Sequence, residues 1–344
     1  MSEIYVCDAS LLTPLGAIPA MIRAAVDAGL NSYQLCNLPG TEEQKLTFSA
    51  VPDAAFDVRI PQLLPGMSPP QIRLLKLASF SLLDLKPRLP DLSLPLFLAG
   101  PESYYQGCGV NQAFINNLVK TTGVELDYTH SRYCAKGRAG FMEALDAAFN
   151  YFYTTGADYA LIGGIDSFYD LRTLGILHEQ KRLASEDTGD GFVPGEAAAF
   201  LLVASAHTKQ RLQKRPLLKL HKPALAHESG HLLGNLPYRA QALAPAMSNA
   251  LKNVAGSVSR IFSSENGESH YTSETSLAVL RNQQRLIPDC PIYRPAECFG
   301  DLGAAFPLAA IALASVDIHT RNGNTLVTAS SDGGLRGAVV LSAC

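Results

Sequence analysis

Tyr133-Cys134-Ala135-Lys136-Gly137-Arg138-Ala139-Gly140 runs straight into the amphipathic stretch FMEALDAAFNYFYTTG and then into the apolar run DYALIGGIDS. A cysteine just ahead of a helix is a candidate nucleophile: unpaired amides and the helix dipole lower a thiol's pKa, and the same amides can hold an oxyanion. The ordinary alternative is a buried, inert cysteine, among the commonest fates of the residue. His130 lies four residues before Cys134 and is a candidate base for acyl transfer or thioester hydrolysis, reactions that need an activated thiol and an oxyanion site. A second chemistry is spelled by His227-Glu228-Ser229-Gly230-His231, which satisfies H-E-x-x-H. On a helix that spacing puts two imidazoles on one face as zinc ligands with the glutamate as base, a zinc hydrolase. Ser229-Gly230 weakens the helix it requires, and Pro237 stands where the third histidine of the longer motif would fall.

The elements that must position these groups alternate. Short apolar or β-branched runs at Ile4–Cys7, Leu96–Ala99, Tyr159–Ile165, Ala198–Ala204, Leu217–Leu220, Arg260–Ser264, Leu326–Ala329 and Ala338–Ser342 read as strands. Between them, Pro70–Leu85, Gln112–Lys120, Gly137–Thr154, Ala240–Val254, Thr275–Gln284 and Leu302–Val316 carry apolar residues at three- and four-residue spacing and read as helices. The alternation predicts an α/β fold, and strands apolar along their length predict a sheet covered on both faces. The polar stretch His207 to Arg215 is the best internal boundary, giving an N-terminal half 1–206 and a C-terminal half 216–344.

Composition removes several classes. With 28 Lys+Arg against 31 Asp+Glu in 344 residues there is no phosphate-seeking surface, so nucleic acid is not the expected partner. The start MSEIYVCDASLLTPLG lacks a basic segment followed by an apolar one, and the most apolar stretch, Gly303 to Val316, falls short of the roughly 18 residues that span a bilayer. A cytoplasmic protein without membrane insertion is the expectation. Seven cysteines (7, 36, 108, 134, 290, 298 and 344) with no C-x-x-C pair read as reduced thiols. Gly163-Gly164 and Gly333-Gly334 lack the lysine and spacing of phosphate loops, so they read as tight turns, and no cofactor is expected.

The order of landmarks is more specific than any one of them. Cys134-Ala135 before a long helix, GADYALIGGIDS, GFVPGEAAAFLLV, AMSNAL, SSENGESHYTSE, FGDLGAAFPLAAIALA and SSDGGLRGAVVL, preceded by LLTPLG, resembles the β-ketoacyl synthases of the thiolase superfamily over nearly the whole chain. HESGHLLGNLP falls where those enzymes carry a histidine-bearing active-site loop. The resemblance implies two similar halves in a five-layered α-β-α-β-α sandwich, a homodimer, and an acyl-CoA or acyl-carrier protein as partner. It places Cys134 at the nucleophile. Lys136 and Arg138, close after it, read by their charge either as groups that stabilise a thiolate or fill the acyl tunnel, or as part of a solvated helix face.

The departures matter as much. Asn266 and Asp301 stand at the positions of the two family histidines, Ala296 at the lysine, and Asp332 at the gatekeeping position of the turn Asp332-Gly333-Gly334, with His231 and His270 as further substrate-site candidates. A carboxylate repels a developing enolate where an imidazole would stabilise it, and asparagine cannot transfer protons. Losing such acid–base groups forfeits roughly 10²- to 10⁴-fold in rate each. The resemblance therefore implies a non-condensing accessory, adaptor or acyl-binding protein, by analogy with thiolase-like proteins encoded beside type VI secretion effectors. The alternative is an acyltransferase or atypical 3-oxoacyl synthase acting through Cys134 with His130 or His270 as base.

Overall fold

A computed structural model describes residues 3–37, 45–56, 65–106, 109–185, 188–212, 214–252 and 254–344. Cys108 and Gln213 of the boundary stretch lie outside the described residues. The first half comprises β1 (Glu3–Leu12), α1 (Pro19–Asp27), β2 (Gln34–Asn37), β3 (Lys45–Phe48), α2 (Pro69–Leu85), β4 (Leu96–Ala99), α3 (Ser103–Gln106), α4 (Gln112–Thr122), β5 (Arg132–Cys134), α5 (Gly140–Thr155), β6 (Tyr159–Ser167), α6 (Leu171–Glu179) and β7 (Glu196–Ser205). The second comprises β8 (Leu218–His221), β9 (Ala224–His227), α7 (Leu243–Leu251), β10 (Val258–Ser263), α8 (Ser269–Arg281), β11 (Ile292–Tyr293), α9 (Ala296–Phe299), α10 (Phe306–Ser315), β12 (Asn324–Ser330) and β13 (Leu335–Ser342).

The strands run in the order β11-β10-β12-β13-β8-β1-β7-β6-β4-β5, and the two halves of that path repeat each other. In each, the half's first strand pairs antiparallel with its last: β1 with β7, β8 with β13. The last then pairs antiparallel with the strand before it, β7 with β6 and β13 with β12. Parallel neighbours follow outward, β4 and β5 in one half, β10 and β11 in the other. β1 joins the halves through β8, Ile4 opposite Leu220.

Helices cover both faces of each half. α5 packs against β4, β5 and β6 on one side and β9 and β13 on the other, while α10 packs against β12 as well as β1, β6 and β7. These two form the middle layer. That position explains the sequence of α10, FPLAAIALAS, buried from Phe306 to Ala314 because it is apolar all round. α2 and α4 close the outer face of the first half, and α7 and α8 that of the second, giving the five layers of a thiolase fold. Among the described residues no helix is long and apolar enough to cross a membrane, and Cys7, Cys134, Cys290, Cys298 and Cys344 are free.

The strands foreseen from the sequence are all present within a few residues. The sequence reading passed over α1, α3, α6, α9, the β2–β3 hairpin, and the short strands β5, β9 and β11. One expectation is corrected: H-E-x-x-H is not helical. His227 ends β9 and the rest is loop, with the two imidazoles edge to face at 5.8 Å. Glu228 is buried, and its carboxylate accepts the amides of Gln241 (2.6 Å) and Ala242 (3.0 Å) ahead of α7, so the glutamate caps a helix entrance. Among the described residues no group of three or more His, Cys, Asp or Glu is placed to hold a metal.

Candidate functional site

The site lies where the carboxyl ends of parallel strands β4, β5, β6, β10 and β12 deliver their loops, the usual location for function in an α/β sheet. β5 leads through a single 3-10 turn, Gly137–Ala139, into α5. β10 leads through Ser264–Glu268 into α8, α9 leads through Gly300–Asp301 toward α10, and Ser331–Gly334 turns β12 into β13.

Arg138, on the 3-10 turn, is at the centre and 3% exposed. Its Nε donates to both carboxylate oxygens of Asp301 (3.0 and 2.9 Å), Nη2 donates to Asp301 Oδ2, and Nη1 donates to Asp332 Oδ1 (2.7 Å). Its guanidinium lies 5.2 Å from the ring centroid of Tyr271, whose hydroxyl donates to Asp332. Arg182, which follows α6, grips Glu268 with two parallel bonds of 2.7 Å and reaches Asp332 Oδ2 at 2.7 Å. Tyr105 donates to the same oxygen at 2.6 Å. Asn266 donates from Nδ2 to Glu268 (2.9 Å) and Asp301 (3.0 Å). Arginine is almost never fully buried unless paired, and here two guanidiniums and three carboxylates satisfy one another by charge-assisted bonds. These pairings hold both arginines above their ordinary range against the pull of burial and hold Asp332 well below its own.

Beside this cluster is a cavity of about 20 Å³, lined in part by Glu102, Tyr105, Arg138, Asp166 and Asp332. That is room for a water molecule rather than an acyl chain. Glu102 accepts the amides of Asp332 (2.7 Å) and Gly333 (3.0 Å), and Asp166 accepts that of Ala304 (2.8 Å). Two glycines make the fit. Gly137, at φ 61°, would place a Cβ 2.6 Å from Glu102 Cγ, and Gly303, at φ 51°, would drive one into the Asp166 carboxyl.

The structure thus brings together Asn266, Asp301, Asp332 and Gly333 and adds Arg138, one of whose expected roles was to fill the tunnel. It does not bring Cys134 to them. Cys134 ends β5, before the 3-10 turn, within the apolar cluster that includes Phe97, Ala99 and Met142. Among the described residues no hydrogen bond or ion pair joins its thiol to Asn266, Asp301 or Asp332. The expected activation is reversed: burial first, then the charge of Glu143, push the thiol up to about 12 against the lowering effect of Lys136. Among the described residues neither candidate base is hydrogen-bonded to Cys134. His130 shares its Nδ1 with Asp127 (2.6 Å) and lies 5.2 Å from the Tyr151 ring. His270 stacks on Tyr238 (4.1 Å), and burial with the nearby Arg336 lowers it to about 4, leaving it neutral. His231 packs beside Gly234 and His227, while Gly334, at φ 95°, accepts the Glu228 amide at 2.8 Å. Ala296 opens α9 and offers only its carbonyl, to Tyr33 (2.7 Å).

Sequence reading missed Glu102, Tyr105, Asp166, Arg182 and Tyr271. Asp166 and Tyr271 sat inside quoted motifs. Arg182 and Glu102 carried no local signal, because what buries them is the meeting of segments 77 to 230 residues apart.

No family model matches the chain, and no curated protein matches it in sequence. Solved structures match its fold over almost its whole length. The AntDE:AntF complex, a type II polyketide synthase acyl-carrier protein with its ketosynthase bound to the hexaketide, superposes with a TM-score of 0.76 at 14% identity, covering 100% of this chain and 99% of that one. The ishigamide ketosynthase/chain length factor gives 0.76 at 13% identity, with the same coverage. The oxazolomycin ketosynthase domain of Streptomyces albus JA3453 gives 0.78 at 14% identity, covering 100% of this chain and 74% of that one.

Proposed function

We propose that this chain, which carries the thiolase fold of the ketosynthases, is a non-condensing protein whose reaction centre has become a buried ion-pair plug. The observation that carries the reading is Arg138. The resemblance assigns the two family histidines to Asn266 and Asp301, and the side chains bonded to Asp301 among the described residues are the Arg138 guanidinium and the Asn266 amide rather than a thiol. A cation paired to two carboxylates is no nucleophile, and the carboxylates cannot stabilise an enolate. We therefore place Arg138 at the position a nucleophile would hold and read Cys134 as a packing residue.

An accessory or adaptor role follows from what remains: a large folded surface around a cavity too small for an acyl chain. Protein partners fit this role better than a free acyl chain, since the cavity is water-sized. A carrier protein or a companion ketosynthase is the first partner to try, because the neighbours include a ketosynthase with its carrier and a ketosynthase/chain length factor. A second copy of the chain, as the resemblance implies, and a type VI effector are the further partners we would test. The acyltransferase reading through Cys134 is disfavoured by the raised thiol and the absence of a base bonded to it among the described residues.

The test is a decarboxylation assay with malonyl-carrier thioester, with and without a condensing ketosynthase. We expect no carbon dioxide release by the chain alone. Release above the uncatalysed rate that disappears in Asp301→Ala or Cys134→Ala would overturn the reading.

A further inference from the structure

The turn Ser331–Gly334 is bolted to the plug from three sides. Ser331 Oγ accepts the Ala139 amide (2.8 Å) and donates to the Lys136 carbonyl (2.5 Å), tying the turn to the 3-10 segment that carries Arg138. The Asp332 side chain takes bonds from Arg138, Arg182, Tyr105 and Tyr271. The backbone amides of Asp332 and Gly333 are both held by the Glu102 carboxyl.

The charges around this turn do not balance if every acid is ionised. Glu102 faces Asp332 from the second half, Arg138 from the 3-10 turn, and Tyr105 of α3 and Asp166 of β6 across the cavity. Behind these, Arg182 is shared with Glu268 and Arg138 with Asp301, while Arg336 donates to the Ser331 carbonyl and is paired with Glu274, a buried pair that adds no net charge. Five carboxyl groups thus meet two guanidiniums in a buried space, an excess of three, and burying unpaired negative charge is costly, so protons on the two acids without an arginine remove most of the difference. Asp332, Asp301 and Glu268 hold the direct arginine contacts. Glu102 and Asp166 have none and are bonded by backbone amides.

We propose that the Ser331–Gly334 turn is a proton-locked latch over the plugged pocket, held shut while Glu102 and Asp166 are neutral and loosened as rising pH ionises them in the open state. It rests on the same occluded pocket as the functional reading but not on whether chemistry has been lost. The titration directions agree with it. Burial, then Asp332, raises Glu102 to about 8 against Arg138 and the two amides. Burial raises Asp166 to about 7 against the Ala304 amide, with Asp301 adding to the rise. Tyr105 and Tyr271 are pushed upward and stay neutral throughout. A group whose pKa is raised in the closed form favours closure fully below its open-state value and loses that contribution as pH climbs to the closed-state value. The latch is therefore tightest in acid, loosens between about pH 4.5 and 8, and levels off above.

The measurement is hydrogen exchange by mass spectrometry on the full chain from pH 5 to 9, converted to an opening constant for peptides covering 331–334 after correction for intrinsic exchange. The opening constant is expected to rise about tenfold per pH unit between 7 and 8 and more steeply below 7, where both groups contribute. Glu102→Gln should flatten the rise between 7 and 8. Asp166→Asn should leave that rise and reduce the slope below 7 to about tenfold per unit. An opening constant independent of pH, or a slope unchanged in both variants, overturns the latch. Neither result bears on acylation or decarboxylation, which test the functional reading separately.

Discussion

Replacing Arg138 with methionine keeps most of the side-chain volume and removes the charge. Asp332 keeps Arg182, Tyr105 and Tyr271, so the loss falls chiefly on Asp301, 3% exposed and left with only Asn266 Nδ2 and the Gly303 amide. Removing one partner of a buried pair costs about 3–5 kcal/mol, because the other charge stays desolvated. Arg138→Met should therefore be destabilised by about 4 kcal/mol. Asp301→Asn in the same chain removes the stranded charge, so the double variant should recover about 2 kcal/mol of that loss. The assay is guanidinium unfolding followed by circular dichroism, since the chain has no tryptophan to report by fluorescence. At roughly 2 °C per kcal/mol for a chain of this size, the thermal midpoint of Arg138→Met should drop by about 8 °C. A loss under about 1 kcal/mol, or strict additivity with Asp301→Asn, would show that the guanidinium does not anchor the site and would refute the plug.

Three further outcomes follow from the same geometry. With its thiol pushed up to about 12, Cys134 should be alkylated at pH 8 at least about a hundredfold more slowly in the folded chain than in guanidinium, as read by peptide mapping. His270, lowered to about 4, should stay neutral at pH 6 in a proton-resonance titration. Because its folded pKa lies below its unfolded one, its contribution to stability is present above about pH 6.5 and is lost as pH falls through 4, a loss that His270→Gln should remove. Glu228→Ala should destabilise by about 1 to 3 kcal/mol through the orphaned amides of Gln241 and Ala242, while His227→Ala should change neither zinc content nor fold, and stoichiometric zinc in the purified protein would reverse that assignment.

What could be read in the sequence and what could not divide along physical lines. The strand and helix pattern was legible because α10 and β7 are apolar along their length, and nothing but burial on both faces tolerates that. Asn266, Asp301 and Asp332 were found by their place in an ordered set of landmarks, and the structure gathers them. At Cys134 burial raises the thiol, opposite to the lowering expected from the sequence. A thiol ahead of a helix looks activated, yet a strand end and a 3-10 turn intervene, so the residue presented at the helix entrance is four positions later. The rest of the cluster around Arg138 could not be seen, since Glu102 and Arg182 are ordinary surface types until tertiary contacts remove their water. Glu228 shows the converse: a sharp local motif, H-E-x-x-H, emptied of its meaning because β9 and a loop, not a helix, carry it.

Intact-mass spectrometry of the wild-type chain and Cys134→Ala after incubation with acyl-CoA and acyl-carrier thioesters tests the central claim most directly. The account predicts no covalent acyl adduct on either protein with any thioester. A stoichiometric adduct on the wild type that is missing from Cys134→Ala would contradict it and restore a living nucleophile to this site.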